Sequence, residues 1–227
     1  MKAVIDTGTM ITLSSTCLMN VFREFVKYNH IELLVSSSVA EESVWRPLSN
    51  KRFALNAARI KYAFNTKIVN VIPTSSEIQS EQQKILTLAN EIYSTEKGGQ
   101  LKIIQAGEAE ALAIARIHNA HALFIDERTT RSLIENPARL RNVLERRQDE
   151  KIMVDEEKLI EFKEMFPQLK MFRSVDLIAM AYEQDLFNHE LEHGKLELEA
   201  ALYSAKFAGC AVSENEIDNY IKTIHSK

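Results

Sequence analysis

Four short apolar runs, at residues 2–5, 31–35, 67–72 and 122–125, are separated by longer stretches whose apolar residues recur every three or four positions. That alternation calls for strands linked by helical crossovers, hence a parallel sheet covered on both faces. The first run, Lys2-Ala3-Val4-Ile5, stops on Asp6, and the fourth, Ala122-Leu123-Phe124-Ile125, stops on Asp126. A turn is expected at Thr7-Gly8-Thr9, then one helix through Leu18, Val21, Phe22 and Phe25. Ser36-Ser37-Ser38 can cap a helix beginning at Val39. Further helices are expected over 52–64, 76–93 and 108–118, and Pro73 ends the third strand. A fifth strand is expected at 171–174, before a helix over 175–184. Between Pro137 and Pro167 lies an insert that reads as extra helices, and 185–227 reads as a helical tail packed on a domain of 1–184.

Composition narrows the class. The 227 residues are 45% hydrophobic and carry a net charge of −4, an ordinary globular balance. Cys17 and Cys210 have no paired spacing, which excludes a disulfide framework and a cysteine-ligated zinc ribbon, and suits a reducing compartment. No apolar run approaches the ~20 residues of a membrane span. Asp6 inside the first apolar stretch argues against a secretory signal, so a cytoplasmic setting without membrane contact is expected.

In an open parallel sheet, ligands gather beyond the carboxyl ends of the strands. Asp6 and Asp126 belong there. Glu41 and Glu42 follow the second strand, and Glu108 and Glu110 follow Gly107 at a helix start. A lone strand-end Asp is commonly a helix cap, but carboxylates brought together repel, and a divalent cation is the simplest remedy. Oxygen-only donors suit Mg²⁺ or Mn²⁺ rather than zinc, and such ions activate water against phosphodiesters. Six of the twelve arginines (Arg128, Arg131, Arg139, Arg141, Arg146 and Arg147) fall within twenty residues, opposed only by Glu135 and Glu145. A solvated helix face is the plain reading, and a phosphate-binding surface the functional one.

The successive segments Val4-Ile5-Asp6-Thr7-Gly8-Thr9, Val39-Ala40-Glu41-Glu42, Ala106-Gly107-Glu108-Ala109-Glu110-Ala111 and Leu123-Phe124-Ile125-Asp126-Glu127-Arg128 resemble the motifs of a PIN domain. Ser174-Val175-Asp176-Leu177 and Ala208-Gly209-Cys210 look like one branch of that family. The resemblance covers roughly residues 1–135 and 170–215. It implies an α/β/α sandwich on a parallel sheet, here with the 137–167 helical insert and a helical C-terminal tail. It also implies a metal-dependent endoribonuclease, with Mg²⁺ or Mn²⁺ held by Asp6, Glu42, Glu110 and Asp126. Glu41, Glu108 and Glu127 are rival ligands, and Thr7 or Thr9 would support Asp6 by hydrogen bond. RNA would be the substrate, met by Arg128, Arg131, Arg146 and Arg147, and an antitoxin protein and a second copy of the chain would be partners. Glu110 stands where many members carry Asp, and compact toxin members lack the insert. The competing reading within the family is a non-catalytic RNA-binding or protein-binding module.

A second pattern competes. His189-Glu190-Leu191-Glu192-His193 matches the H-E-x-x-H zinc-peptidase spacing, which needs both imidazoles on one helix face and Glu190 as base. Asn188, Glu192 and Gly194 make a poor core helix, and a third ligand would have to be Glu214 or Glu216. A solvated segment with chance histidines is the expectation.

Overall fold

The computed structural model describes residues 1–224 and, of His189, the backbone alone. The chain begins with β1 (Lys2–Ile5), α1 (Thr7–Ser15), α2 (Met19–Tyr28) and β2 (Glu32–Ser36). Next come α3 (Ser37–Ala40), a π-helical turn (Glu41–Trp45), α4 (Arg46–Leu48), α5 (Ala54–Asn65) and β3 (Val69–Ile72). Then follow α6 (Ser76–Glu91), β4 (Tyr93–Thr95), α7 (Ala106–Ile117), β5 (Ala122–Phe124) and α8 (Arg128–Glu135). The insert holds α9 (Pro137–Gln148), β6 (Ile152–Val154) and α10 (Glu156–Glu164). After β7 (Lys170–Phe172) and α11 (Ser174–Glu183), a 3₁₀ turn (Leu186–His189) leads to α12 (Lys195–Ala208) and α13 (Glu214–Thr223).

Five strands form a parallel sheet in the order β3-β2-β1-β5-β7. Side chains alternate across it. Ala3, Ile5, Leu33, Val35, Ala122 and Phe124 join one core with α1, α2, α5, α11 and α12. Val4, Leu34, Leu123 and Ile125 join the other with α6, α7 and α10. Both faces are therefore covered, which is why these strands read as continuous apolar runs rather than as alternating ones. The result is helices on either side of a parallel sheet. The tail belongs to the first core through Leu198, Ala201, Leu202, Ala205 and Ile217. Among the described residues no helix is long and apolar enough to cross a membrane.

Two local expectations change. Thr7-Gly8-Thr9 is not a separate turn: Asp6, in extended backbone, caps α1 directly. The helix expected to run on through Leu18 is broken at Cys17, which adopts a left-handed φ of 62°. The insert also contains a strand. β6 pairs antiparallel with β4, and Tyr93 between them is fully buried with its hydroxyl donating to the Pro137 carbonyl at 3.1 Å. Each strand is three residues long, too short for periodicity to register, so 76–93 reads from sequence as a single helix.

The acidic cleft at the sheet switch point

From β1, the chain moves outward to β2 and β3 on one side, and β5 and β7 lie on the other. The crossovers thus diverge between β1 and β5, and beyond the carboxyl ends of such a strand pair the chain leaves a crevice. Asp6 and Asp126 follow these two strands. The Asp6 N–H donates to the Phe124 carbonyl at 2.9 Å, locking the two strand ends together.

Each carboxylate is held by its own local device. Asp6 accepts the Gly8 N–H at 3.0 Å. A methyl at Gly8 would lie 3.2 Å from Asp6 Oδ2, so the missing side chain leaves room for the carboxylate. Asp126, buried, accepts the Ser174 N–H at 2.7 Å on one oxygen and the Ser174 hydroxyl at 3.1 Å on the other. Glu127 caps α8 by accepting from Thr129 and Thr130 N–H at 2.7 and 2.6 Å. Glu108 turns back to the Gln105 N–H at the start of α7. Glu110, one turn position further in, is buried and accepts from the Ser38 hydroxyl, which in turn meets Ser36 Oγ at 2.8 Å. Glu42 leaves the π-helical turn, a distortion common at functional sites, with Thr7 Oγ1 donating to it at 3.5 Å.

Helix capping thus accounts for the local geometry of Asp6, Glu108 and Glu127, whereas Asp126 is held by Ser174 from 48 positions away. Neither accounts for their charge. Burial first, then the Asp126 and Glu42 carboxylates, push the Asp6 carboxyl above its usual range, against the pull of the Gly8 and Thr7 N–H groups. Burial also raises Glu108, with Glu127 and Asp6 adding to it. Among the described residues none of Asp6, Glu42, Glu108, Glu110, Asp126 and Glu127 forms an ion pair with Lys or Arg. Glu41 does pair, with Arg46 at 3.7 Å, and so is turned to a different partner than Glu42. As the side chains stand, no three His, Cys, Asp or Glu among the described residues are gathered closely enough to ligate one ion. The donor chemistry nonetheless fits a hard cation, being all oxygen and without a basic partner.

Thr7 supports Asp6 through its backbone N–H and Glu42 through its hydroxyl, and the fully buried Thr9 hydroxyl has no partner among the described residues. Ser38 and Ser174, which position Glu110 and Asp126, are not singled out for the site by the sequence. Ser38 is read as part of a helix cap, and Ser174 as the end of the fifth strand and the start of a family-like segment. Cys210 lies beside Asp126 and Ser174, and burial followed by the Asp126 charge pushes its thiol up to about 12, so it is unreactive.

The arginine run is divided. Arg128 and Arg131 open α8 beside the cleft, whereas Arg146 and Arg147 sit in the last turn of α9, about 10 Å along that helix from Arg139. Arg131 pairs with Glu135 at 3.6 Å and Arg141 with Glu145 at 3.1 Å.

The H-E-x-x-H segment is a 3₁₀ turn followed by irregular chain, so the single helix face that the zinc pattern requires is not formed. The His189 side chain lies outside the described residues. His193 stacks on Tyr182 at 4.0 Å between ring centroids, with Nε2 3.3 Å from Asp185, and Glu190 accepts from Asn20 at 2.7 Å. Glu214 is engaged by Lys206 and Glu216 by Arg173.

Comparison with protein-family models, curated proteins and solved structures finds no match to this chain.

Proposed function

We propose that the chain is a metal-dependent endoribonuclease of the PIN type, acting at the cleft between β1 and β5. The observation that carries this reading is the coupling of carboxylates at one sheet end: Asp6 feels Asp126 and Glu42, Glu108 feels Glu127 and Asp6, the pKa of Asp6 and of Glu108 is raised, and none is ion-paired among the described residues. Carboxylates crowded at a switch point favour a counter-charge; Lys102 eases Glu108 without an ion pair to it, and a divalent cation would supply the rest.

Asp6, Glu42, Glu110 and Asp126 would hold Mg²⁺ or Mn²⁺, whose contribution is to acidify water for attack on a phosphodiester. The chain's own groups prepare that site. Ser174 fixes the plane of the Asp126 carboxylate, and Ser38 holds Glu110 from across the cleft. Gly8 keeps the space beside Asp6 open. Arg128, exposed and following Glu127 directly, would contact phosphate of the strand.

A second reading, a binding module whose acids are kept for structure, draws on the capping roles of the same residues. One experiment separates the two. RNA is incubated with purified protein across a Mg²⁺ or Mn²⁺ series, alongside Asp6→Asn. The nuclease reading expects cleavage that saturates with metal and vanishes in the variant. Wild-type cleavage rates in Asp6→Asn would sink it.

A further inference from the structure

Beside the acidic cleft lies a cavity of about 340 Å³ with the opposite charge. Arg128, Arg131, Arg139 and Lys206 line it against a single carboxylate, Glu216. That carboxylate is already engaged, by Arg173 at 2.9 Å and by the Ser213 N–H at 3.0 Å. Two of the four cations are matched elsewhere, Arg131 by Glu135 and Lys206 by Glu214. Arg128 and Arg139 have no ion-pair partner among the described residues, and both are exposed. Arg131 feels the surplus. Burial first, then the neighbouring Arg173 guanidinium, lower its pKa, a cost that an anion would relieve.

The cavity wall adjoins the chain at Asp126. Ala211 forms part of its wall and donates its N–H to the Asp126 carbonyl at 3.3 Å. A larger neighbouring cavity, of about 510 Å³, shares Arg131 and Arg139 but sets Glu135, Asp176, Glu183 and Glu216 against them and Arg173. Its four carboxylates outnumber its three guanidiniums, so it has no comparable demand for an anion.

We propose that the smaller cavity is a phosphate-monoester site, and, resting on the RNA reading above, that its ligand is the terminal phosphate of an RNA strand running into the acidic cleft. Charge selects the monoester. Two unpaired guanidiniums match the roughly −1.5 to −2 carried by a phosphate monoester near pH 7, where an internal diester carries one charge. Guanidinium forks suit its oxygens. No aromatic ring lines the cavity to stack a base, so it takes the phosphate and not the nucleoside.

The test measures affinity for three RNAs of one sequence, ending in a 5′-phosphate, a 3′-phosphate or hydroxyls alone, with Ca²⁺ present to suppress cleavage. Wild type, Arg139→Gln and Arg128→Gln are compared, with inorganic phosphate as competitor. The wild type is expected to bind one phosphorylated RNA about tenfold more tightly than the hydroxyl-ended one. Inorganic phosphate should abolish that preference, as should either substitution, and which end is preferred identifies the strand polarity. Equal affinity of the wild type for all three ends overturns the proposal, as does a preference that survives both substitutions. The two readings fail separately. Metal-dependent cleavage without end preference removes the monoester site alone, and end preference without cleavage removes the nuclease alone.

Discussion

Asp6 carries two duties that pull apart. As the cap of α1 it needs an oxygen facing the Gly8 N–H, and as a cleft acid it carries a charge that burial, Asp126 and Glu42 all disfavour. Asn keeps the first duty and drops the second. Because the folded-state pKa of Asp6 is raised, its ionisation costs stability above that pKa, and the cost fades as pH falls toward the ordinary carboxyl range. In chelator at neutral pH, Asp6→Asn should therefore melt above the wild type, by about 2–4 °C for each kcal/mol relieved. Mg²⁺ should raise the melting temperature of the wild type and leave the variant where it is. A variant that melts lower in chelator, or that responds equally to Mg²⁺, would contradict this account. Ser174 gives a complementary prediction. Its hydroxyl is one of two donors to the buried Asp126 charge, so Ser174→Ala should cost about 1.5–3 kcal/mol in denaturant unfolding.

Beyond its apolar contacts, the tail is tied to α11 by one buried guanidinium. Arg173, at the N-terminus of α11 and 8% exposed in its side chain, donates to Asp176, Glu216, Tyr220 and the Ala211 carbonyl. It thereby ties α13 and the turn before it to α11. Removing it leaves two partly exposed acids and the Tyr220 hydroxyl without their donor, so Arg173→Met should destabilise by roughly 1–3 kcal/mol. Burial pushes the Glu216 carboxyl up, but Ser213 and Arg173 outweigh it and hold it at about 2. A depressed folded-state pKa gives stability that is complete above the ordinary carboxyl range and lost as pH falls toward about 2. The acid limb of unfolding should therefore flatten in Glu216→Gln, measured by melting temperature between pH 5 and 2. An unchanged acid limb would show that Arg173 holds the tail without Glu216. Elsewhere the elements are fixed by short-range chemistry, such as the left-handed Cys17 that separates α1 from α2.

For the whole molecule, the two pKa tendencies oppose one another. Asp6 and Glu108 are raised, so without metal the fold should gain stability as pH falls from neutral toward the ordinary carboxyl range, before the Glu216 contribution is lost lower down. Saturating Mg²⁺ should flatten the upper limb by supplying the missing charge. Melting curves in chelator and in Mg²⁺ from neutral to acid pH check both, and a steady loss of stability on acidification in chelator, with no rise before the Glu216 contribution is lost, would show that the carboxylates are already compensated. The sequence alone determined the layered architecture, since apolar runs with helical spacing between them admit few arrangements and parallel topology sends strand-end acids to one edge. Asp6, Asp126 and the acids near two helix starts are legible on those grounds. The rest was decided by contacts between distant residues. Ser174 reaches Asp126 across 48 positions, Ser38 reaches Glu110 across 72, and Thr7 finds Glu42 across 35. The β4–β6 ribbon and the division of the arginines between cavity and outer helix end have the same origin. Periodicity reports which face of an element is buried, but the partner of a hydrogen bond or charge is chosen only when the elements pack, because both interactions act over a few ångströms in space regardless of separation along the chain.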